Sequence, residues 1–405
     1  MRTGESGQVT VFFRTNFLLL CLLLAGCSAQ PHEPPQAEPW PEPNSHCSSA
    51  GVLLDAHFEA GNLGHCDAGE NRRFTLTLIP ENRPPINTSP WFAFRASGEP
   101  GDRAVIRLEF VHGYARYWPK TSPDGVHWTP MPRDQVFVGP ENQWMEIRLN
   151  LENHRLWVAG QEIVDHSFYD HWLDALEASG EVALRLLGPS VQGRPIYLAQ
   201  THDRPEFVLF IGRQHPPEVS GAFGMRAFMD TVFSDSELAR RFRERFKLGI
   251  VPLLNPDGVA AGHWRHNVNG VDVNRDWGPF TQPETQAVMG WVAQQEAAGR
   301  RLSLMLDFHS TREDLFYTQP VRHDPPDFAS SWLAASAGRL PDFSFKHDAG
   351  PVSEQPNAKN YFYTSRGIPA ITYEVGDETD RESIRGAAVV FAEEMMRTLL
   401  ATPEP

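Results

Sequence analysis

Positive charge is scarce in this sequence of 405 residues. Lysine and arginine together number 36, against 51 aspartates and glutamates, so the formal net charge is −15 at pH 7. No long run of lysine or arginine interrupts the acidic composition. An acidic chain repels the phosphate backbone that supplies most non-specific affinity for nucleic acids. We therefore expect no nucleic-acid partner.

Cysteine is also scarce, with four residues in the whole chain. Cys21 and Cys27 belong to the N-terminal segment, which leaves Cys47 and Cys66 in the body of the protein. An oxidising compartment would permit a disulfide between these two residues. Two free, buried thiols are the alternative. Neither lies near a cluster of histidines in the sequence, so we do not interpret them as metal ligands.

The apolar run at 17–25 is too short to span a bilayer as a permanent helix. It follows two arginines and therefore predicts the hydrophobic region of a secretory signal. The run ends in LAGC at 24–27, which resembles a bacterial lipobox, in which the cysteine is lipidated. We expect residues 1–27 to be a lipoprotein signal peptide, with Cys27 anchored to the membrane of a bacterial cell envelope. Ser28 favours the periplasmic face of the outer membrane; an ordinary signal peptide with a chance cysteine is the alternative.

Composition divides the remaining chain into three segments. Residues 28–47 are rich in proline and predict an extended tether. Residues 48–200 contain short segments of alternating apolar and polar residues, which is the pattern of an antiparallel β-sandwich. Residues 201–405 predict an α/β domain with a mixed, largely parallel sheet, because nearly continuous apolar runs alternate with helical patterns. These helical patterns lie at 219–233, 236–245, 283–296, 326–337 and 381–400.

Four residues suited to metal chemistry fall at predicted strand ends in the second domain. His215 and Glu218 follow the run EFVLFIG, His309 follows RLSLMLDF, and Glu374 follows PAITY. The carboxyl ends of parallel strands meet at one edge of a sheet, where ligand-binding loops gather. We therefore expect these four side chains to lie together. The pattern HPPE at 215–218 alone is too short to establish a metal site.

The chemistry of these side chains fits a catalytic zinc site. Such a zinc commonly has three protein ligands, often two histidines and a glutamate, and keeps a fourth position for water. His215, Glu218 and His309 would supply that set for one zinc ion per chain. The metal would lower the pKa of water toward about 7, and Glu374 would act as the general base. Asp307 is either a carboxylate that orients a histidine or a cap of local structure.

Side chains suited to binding a carboxylate lie between these strands. The segment NPDGVAAGHWRHNVNGVDVNRDW contains Arg265, Asn274 and Arg275. A guanidinium group presents a fixed fork of donors that binds a carboxylate or stabilises an oxyanion. The combination predicts a peptide or peptide-like substrate with a free carboxylate.

Four segments of the sequence, taken in order, resemble the motifs of the zinc carboxypeptidase family: HPPE, NPDGVAAGHWRHNVNGVDVNRDW, DFHS and TYE. In the first domain, FEAGNLG, WFAFRA and ARYWPKTSPDGVHW are similar to the domain that precedes the catalytic part in the cytosolic carboxypeptidase branch. The resemblance therefore implies a catalytic α/β domain, and the predicted lipobox would make the chain an exported bacterial member.

The resemblance also implies roles for the matching positions. Arg265 would stabilise the carbonyl oxyanion, for which preorganised charge is usually the largest catalytic contribution. Asn274 and Arg275 would hold the C-terminal carboxylate of the substrate, and Glu374 would be the base. The implied zinc ligands are the three residues named above: His215, Glu218 and His309.

Two features depart from the pattern of the family. Pro217 stands before Glu218, where the family usually has glycine; proline is tolerated in a first helical turn, so we expect the site to survive. The family often has a tyrosine at a set distance before the base, where it closes over the substrate. None stands at that distance before Glu374, and we assign the role to neither Tyr361 nor Tyr363.

The family's side-chain pocket is set by a residue shortly before the base. Lys359 occupies the corresponding position here, with Arg366 further along the chain. A buried cation would favour an acidic terminal residue of the substrate. The alternative is that Lys359 is a solvated helix residue.

We therefore expect a zinc-dependent metallocarboxypeptidase that hydrolyses a C-terminal peptide or isopeptide bond, with a preference for an acidic terminal residue. A zinc-dependent deacylase or amidase of small N-acyl amino acids is one alternative, because it would use the same ligands and base. A non-catalytic surface binding protein that keeps only the fold is another. The presence of all three ligands and of Glu374 counts against this last interpretation.

Overall fold

The computed structural model describes residues 40–84, 89–320, 323 and 325–403. From residue 41 onward, the described residues belong to one unit. The predicted signal peptide and most of the predicted tether lie outside the described residues. Within the described residues, none of the helices has the length and apolar character needed to cross a bilayer.

Short strands of alternating burial build the N-terminal domain. Strand Arg103–Phe110 shows the pattern clearly, since every second residue is buried, as expected when successive side chains point to opposite faces of a sheet. The strands of the domain are β1 (His46–Ser49), β2 (Val52–Asp55), β3 (His65–Ala68), β4 (Arg73–Leu78), β5 (Ala93–Ser97), β6 (Arg103–Phe110), β7 (Lys120–Ser122), β8 (Thr129–Pro130), β9 (Val136–Val138), β10 (Trp144–Asn150) and β11 (Arg155–Ala159).

These strands form two sheets with a shared apolar core. One sheet has the order β1-β2-β5-β11-β7-β8 and the other has the order β3-β4-β6-β10-β9. Neighbouring strands are antiparallel except for β4 and β6, which are parallel. Leu54 and Phe94 of the first sheet and Ile106 and Ile147 of the second belong to the same core. The predicted antiparallel β-sandwich is confirmed, with one parallel pair added.

Cys47 and Cys66 form a disulfide, with their Cα atoms 6.2 Å apart. Cys47 lies on β1 and Cys66 on β3, so the bond joins the edge strands of the two sheets. The two cysteines are 19 residues apart in the sequence. Closing a loop of this size removes conformational entropy from the unfolded chain and contributes about 3 kcal/mol of stability. Of the two alternatives for these cysteines, the disulfide is the one that the structure contains.

The C-terminal domain alternates strands and helices. Its elements are α1 (His166–Ala178), β12 (Ala183–Pro189), β13 (Pro195–Gln200), β14 (Glu206–Gly212), α2 (Val219–Val232), α3 (Glu237–Arg245), β15 (Phe246–Val251), α4 (Pro256–Ala260), α5 (Pro283–Ala297), β16 (Arg301–Thr311), β17 (Leu315–Tyr317), α6 (Phe328–Arg339), β18 (Lys346–Asp348), α7 (Ala358–Arg366), β19 (Ala370–Gly376) and α8 (Arg381–Leu400).

An eight-stranded mixed sheet with the order β12-β13-β15-β14-β16-β19-β17-β18 organises this domain. Four nearly continuous apolar runs, EFVLFIG, KLGIVPLL, RLSLMLDF and PAITYEV, correspond to its central strands β14, β15, β16 and β19, which are mutually parallel. They are buried along nearly their whole length because helices cover both faces. The predicted largely parallel sheet is confirmed, and its parallel strands end at the same edge.

The five predicted helices correspond to α2, α3, α5, α6 and α8, each within two residues at either end. Helices α1, α4 and α7 were not predicted. Tyr169, Trp172, Leu173 and Leu176 are buried on one face of α1 at the spacing of an amphipathic helix. That spacing is the sequence signal that would have identified α1.

The predicted domain boundary at residue 200 falls inside the large sheet. Strands β12 and β13 precede that residue, yet they form the antiparallel edge of the eight-stranded sheet. Short antiparallel strands alternate in the same way in either sheet, so their pattern does not show which sheet they join.

Candidate active site

A tight turn between β14 and α2 presents the first two candidate ligands. It begins at Arg213, which has a φ of 52° and whose Nε donates to the carbonyl oxygen of Pro216 at 2.8 Å. The amide of Glu218 donates to the carbonyl oxygen of His215 at 3.3 Å. Pro217 has no amide hydrogen to satisfy, and the turn accommodates it. Glu218 stands as the N-terminal cap residue of α2.

The first turn of α2 lies directly against β16. A β-carbon at Gly221 would be 2.5 Å from the carbonyl oxygen of His309, which is too close for any side chain. The amide of Gly221 donates to Oγ of Ser310 at 2.8 Å. Glycine at this position therefore lets the helix bring Glu218 up to His309.

His215, Glu218 and His309 converge on one point. Nδ1 of His215 lies 2.8 Å from Oε1 of Glu218, and Nδ1 of His309 lies 2.7 Å from Oε2 of the same carboxylate. The three potential ligand atoms lie within 4.8 Å of one another, and all three side chains are buried. Burial alone would raise the pKa of Glu218, but the two neighbouring histidines hold it well below its usual value.

The opposite nitrogen of each histidine faces a further carboxylate. Nε2 of His215 lies 2.9 Å from Oδ1 of Asp272, and Nε2 of His309 lies 2.8 Å from Oδ2 of Asp307. Such contacts fix the ring orientation and raise the basicity of the nitrogen that faces a metal. Asp307 therefore orients a histidine, which was one of its two predicted roles. Asp272 performs the matching task for His215 and was not predicted.

These residues fit a bound zinc ion. Two imidazole nitrogens and one carboxylate are a common ligand set for catalytic zinc. The carboxylates of Glu218, Asp272 and Asp307 bring negative charge to the cluster, which favours the binding of a divalent cation. The carboxylates behind the histidines match the surroundings of metal-binding histidines in proteins.

Glu374 lies beside this cluster on β19, opposite His309 in the register of the two strands. Its Oε2 is buried and has no hydrogen-bond partner among the described residues. Burial raises the pKa of Glu374 to about 7; the charge of His309 opposes this shift, whereas that of Glu218 adds to it. A carboxyl group with this pKa can gain or lose a proton near neutral pH.

The predicted carboxylate-binding residues line the same cavity. Nε of Arg265 donates to Oδ2 of Asp272 at 2.6 Å. The Asn274 side chain accepts a hydrogen bond from the amide of Ala358 at 2.9 Å. Arg275 donates to the carbonyl oxygen of Asn274, and among the described residues it forms no salt bridge. Burial lowers the pKa of Arg275, against the opposing charge of Asp272.

Lys359 also lines the cavity. It lies in the first turn of α7, where the Asn357 side chain caps the helix. Its Nζ donates to the carbonyl oxygen of Thr318 at 3.3 Å, and no carboxylate in the described part of the chain forms a salt bridge with it. Burial lowers the pKa of Lys359, and the charge of Asp348 partly opposes this. The structure thus places Lys359 in the wall of the cavity rather than on a solvated face.

Three other residues weighed in the sequence analysis do not line this cavity. Arg366 pairs with Glu296 at 3.1 Å and also donates to the hydroxyl of Tyr361. Tyr361 packs edge-on against Phe280. Tyr363 is likewise missing from the cavity wall, which contains Tyr317 and Tyr114 instead.

The cavity has a volume of about 420 Å³. Its wall includes residues that the sequence analysis missed, among them Ser89, Tyr114, Arg116, Arg312 and Tyr317. The first three come from the N-terminal domain, and no periodic pattern signals a contact between domains. Asp272 lies two residues before Asn274 in the segment that carries the predicted arginines, but nothing in that segment indicates its contact with His215.

The fold and this cluster of ligands define a metallohydrolase, and the comparison with known sequences specifies its family. A sequence model described as "Zinc carboxypeptidase" matches residues 169–387, more than half of the chain, so the protein belongs to the zinc carboxypeptidase family. A second model, "Cytosolic carboxypeptidase N-terminal domain", matches residues 54–160. The resemblance stated from the motifs is confirmed for both domains.

Relatives of known sequence include human cytosolic carboxypeptidase 6, which is 25% identical over 304 residues. That alignment covers 66% of this chain and 59% of the human protein, so this chain spans less than two thirds of the human relative. An uncharacterised protein of Zymomonas mobilis is 23% identical over 266 residues, which cover 64% of this chain and 67% of that protein.

Solved structures share the whole fold. A metallo-carboxypeptidase from Burkholderia cenocepacia has a TM-score of 0.73 at 20% identity, covering 86% of this chain and 99% of that one. A metallo-carboxypeptidase from Pseudomonas aeruginosa, in complex with (2-guanidinoethylmercapto)succinic acid, has a TM-score of 0.68 at 22% identity, covering 86% and 98%. These likenesses establish the two-domain fold.

Proposed function

We propose that the protein is a zinc-dependent metallocarboxypeptidase that releases the C-terminal residue of a peptide or of an isopeptide branch. One observation carries this proposal: the metal-binding cluster and the buried base Glu374 share one cavity with Arg275, which forms no salt bridge among the described residues. A substrate held by its terminal carboxylate on Arg275 would lie with its last amide bond near the cluster. Membership of the zinc carboxypeptidase family supports the same reaction.

His215, Glu218 and His309 would hold one zinc ion per chain. Bound there, zinc would supply Lewis acidity, which activates water at neutral pH and polarises a carbonyl group. The protein contributes rigid placement of the three ligands, through the turn before α2 and through the carboxylates of Asp272 and Asp307.

The remaining polar residues of the cavity would handle protons and charge. Glu374 would accept a proton and return it to the leaving amine, since burial places its pKa near neutrality. Arg265, held by Asp272 at the cavity wall, would stabilise negative charge that develops on the scissile carbonyl oxygen. Asn274 and Arg275 would bind the terminal carboxylate of the substrate.

We further propose a preference for an acidic terminal residue, with Lys359 as the group that recognises it. Support comes from its place in the cavity wall and from the lack of a salt-bridge partner among the described residues. A half-buried cation that has no salt bridge favours a substrate anion over an apolar group. Lys359 and Arg275 would then bind the two carboxylates of a terminal glutamate or aspartate.

Assays of the zinc-loaded protein on a panel of substrates test both the carboxypeptidase reaction and the acidic preference. The substrates are matched peptides that end in Glu, Leu or Lys, together with N-acetyl-glutamate as a small N-acyl amino acid. We expect release of the terminal residue from the peptides and the highest kcat/KM for the Glu-ended peptide. Equal kcat/KM on all three peptides would reject the acidic preference. Hydrolysis of N-acetyl-glutamate alone would favour the deacylase alternative.

We also propose that the protein is lipid-anchored in a bacterial envelope through Cys27, at the periplasmic face of the outer membrane. The support is the sequence LAGC after a short apolar run. Expression of the full chain and of Cys27→Ser in a two-membrane bacterium, followed by membrane fractionation, tests this. Recovery of both proteins in the same soluble fraction would reject the anchor.

A further inference from the structure

The loop that carries Arg265 is held by the N-terminal domain. The amide of Ala60 donates to the carbonyl oxygen of Ala260 at 3.0 Å. Nδ2 of Asn62 donates to the carbonyl oxygen of Gly262 at 2.9 Å. Further along the same loop, Nδ2 of Asn82 donates to the carbonyl oxygen of Gly270 at 2.7 Å. The loop is therefore bound to the N-terminal domain on both sides of Arg265.

Glu81 contacts three successive residues of this loop. Its carboxylate accepts from the amides of Trp264, Arg265 and His266 at 2.7, 2.9 and 2.6 Å. Nδ1 of His266 lies 2.9 Å from the same group. Three successive amides on one carboxylate fix the backbone at and around Arg265.

The surroundings of Glu81 keep this contact charged and rigid. Its side chain is 9% exposed. Burial alone would raise the pKa of Glu81, but its hydrogen bonds and the nearby histidines lower it to about 2. Trp264 is fully buried, and a β-carbon at Gly113 of the N-terminal domain would come within 3.0 Å of its ring. The loop cannot shift on this side without breaking these contacts.

Precise placement of Arg265 matters for the proposed reaction. Its guanidinium shares the carboxylate of Asp272 with His215, so the position of Arg265 relative to the metal-binding cluster depends on the loop backbone. A donor that stabilises a developing oxyanion is effective only when it lies within hydrogen-bond distance of the site of that charge. A misplacement of about 1 Å can cost about 100-fold in rate.

We propose that Glu81 is a positioning residue for Arg265, so that the N-terminal domain completes the active site. Glu81 holds the backbone of residues 264–266 and thereby fixes the guanidinium of Arg265 against the scissile carbonyl. This inference rests on the oxyanion-stabilising role proposed for Arg265. It gives the N-terminal domain a task in the reaction beyond packing against the catalytic domain.

A comparison of zinc-loaded Glu81→Gln with Asp55→Asn tests the proposal. Asp55 is a buried carboxylate of the same domain that pairs with Arg95 at 2.8 Å and does not line the active-site cavity. We expect kcat of Glu81→Gln to fall about 10- to 100-fold, with KM within about threefold of wild type and zinc content unchanged. Asp55→Asn should retain kcat even if its unfolding temperature falls by as much as that of Glu81→Gln. Equal losses of kcat in the two variants would show that Glu81 acts only through stability, and would overturn the proposal.

A double-mutant cycle with Arg265→Ala separates this proposal from the role of Arg265 itself. If Glu81 acts through Arg265, Glu81→Gln should cost almost nothing further in the Arg265→Ala background. Additive losses would overturn the positioning role while leaving the role of Arg265 intact. A fully active Arg265→Ala would overturn both. Glu81→Asp, which keeps the charge on a shorter arm, should recover part of kcat if Glu81→Gln proves poorly folded.

Discussion

Glu374 and His309 lie directly opposite each other on the adjacent parallel strands β19 and β16. His309 turns Nδ1 towards Glu218, whereas Oε2 of Glu374 has no hydrogen-bond partner among the described residues. A buried carboxylate oxygen without a partner costs stability, and a catalytic role is one reason for a native protein to retain such a group. The pair therefore combines a metal-facing imidazole with a group that is available to a substrate or to water.

Glu374→Gln should keep the metal and lose the reaction. The amide has the same shape as the carboxylate but cannot accept a proton at neutral pH, so we expect kcat to fall by about 100- to 10,000-fold. Zinc content by elemental analysis should stay at the wild-type level. His309→Ala is the contrasting variant, because it removes a ligand and should lose zinc as well as activity. Near-wild-type turnover in Glu374→Gln would rule out the base.

Replacement of Asp272 and replacement of Asp307 should affect turnover differently. Each faces a histidine of the cluster, so Asp272→Asn and Asp307→Asn should each weaken zinc binding by about 10- to 100-fold. Asp272 also holds Arg265, and Asp307 does not. Titration of each variant with zinc checks this: at saturation the turnover of Asp307→Asn should largely recover, whereas that of Asp272→Asn should stay low. Equal recovery would mean that Arg265 does not depend on Asp272.

The contrast between these two aspartates shows what the sequence could reveal. Asp307 lies two residues before His309 on the same strand, so a link between them could be considered from the sequence. Asp272 meets His215 only because a loop crosses the sheet edge. No periodic pattern in the sequence predicts where that loop lies. Helices such as α8 were predictable since long amphipathic patterns determine their own structure.

The residues around the cavity also divide into those that could be predicted from the sequence and those that could not. The carboxyl ends of parallel strands must share one edge, which is why the ligand cluster could be predicted from the three apolar runs that its residues follow. Arg116 and Glu81 come from the other domain, and their approach to the site depends on how two domains pack. Such packing is specified by many apolar contacts at once and has no signature within a short segment.

Lys359→Met should change specificity rather than catalysis. Methionine keeps most of the side-chain volume and removes the charge, so kcat/KM should fall by about 10- to 100-fold for a Glu-ended peptide. For a Leu-ended peptide, kcat/KM should stay within about threefold of wild type. Arg366→Met is the matched control, because Arg366 pairs with Glu296 outside the cavity and its loss should leave the ratio of the two values unchanged. A parallel loss on both peptides would remove Lys359 from the specificity pocket.

The contact between Glu81 and the loop of Arg265 should also appear in the pH dependence of stability. The pKa of Glu81 is lowered from 4.5 to about 2 in the folded protein, so the unfolded state binds more protons between these values. The stabilisation is therefore fully present above pH 4.5 and is lost as the pH falls towards 2, a total of about 3 kcal/mol. Glu81→Gln has no such proton linkage. The free energy of unfolding of wild type and of Glu81→Gln can be measured by chemical unfolding, with both proteins treated with a chelator so that metal loss does not contribute. We expect a difference between the two free energies at pH 7 that shrinks steadily below pH 4.5. A difference that is the same at pH 7 and pH 3 would mean that Glu81 is not held as a charged group, and the hydrogen bonds to residues 264–266 would then not be charge-assisted.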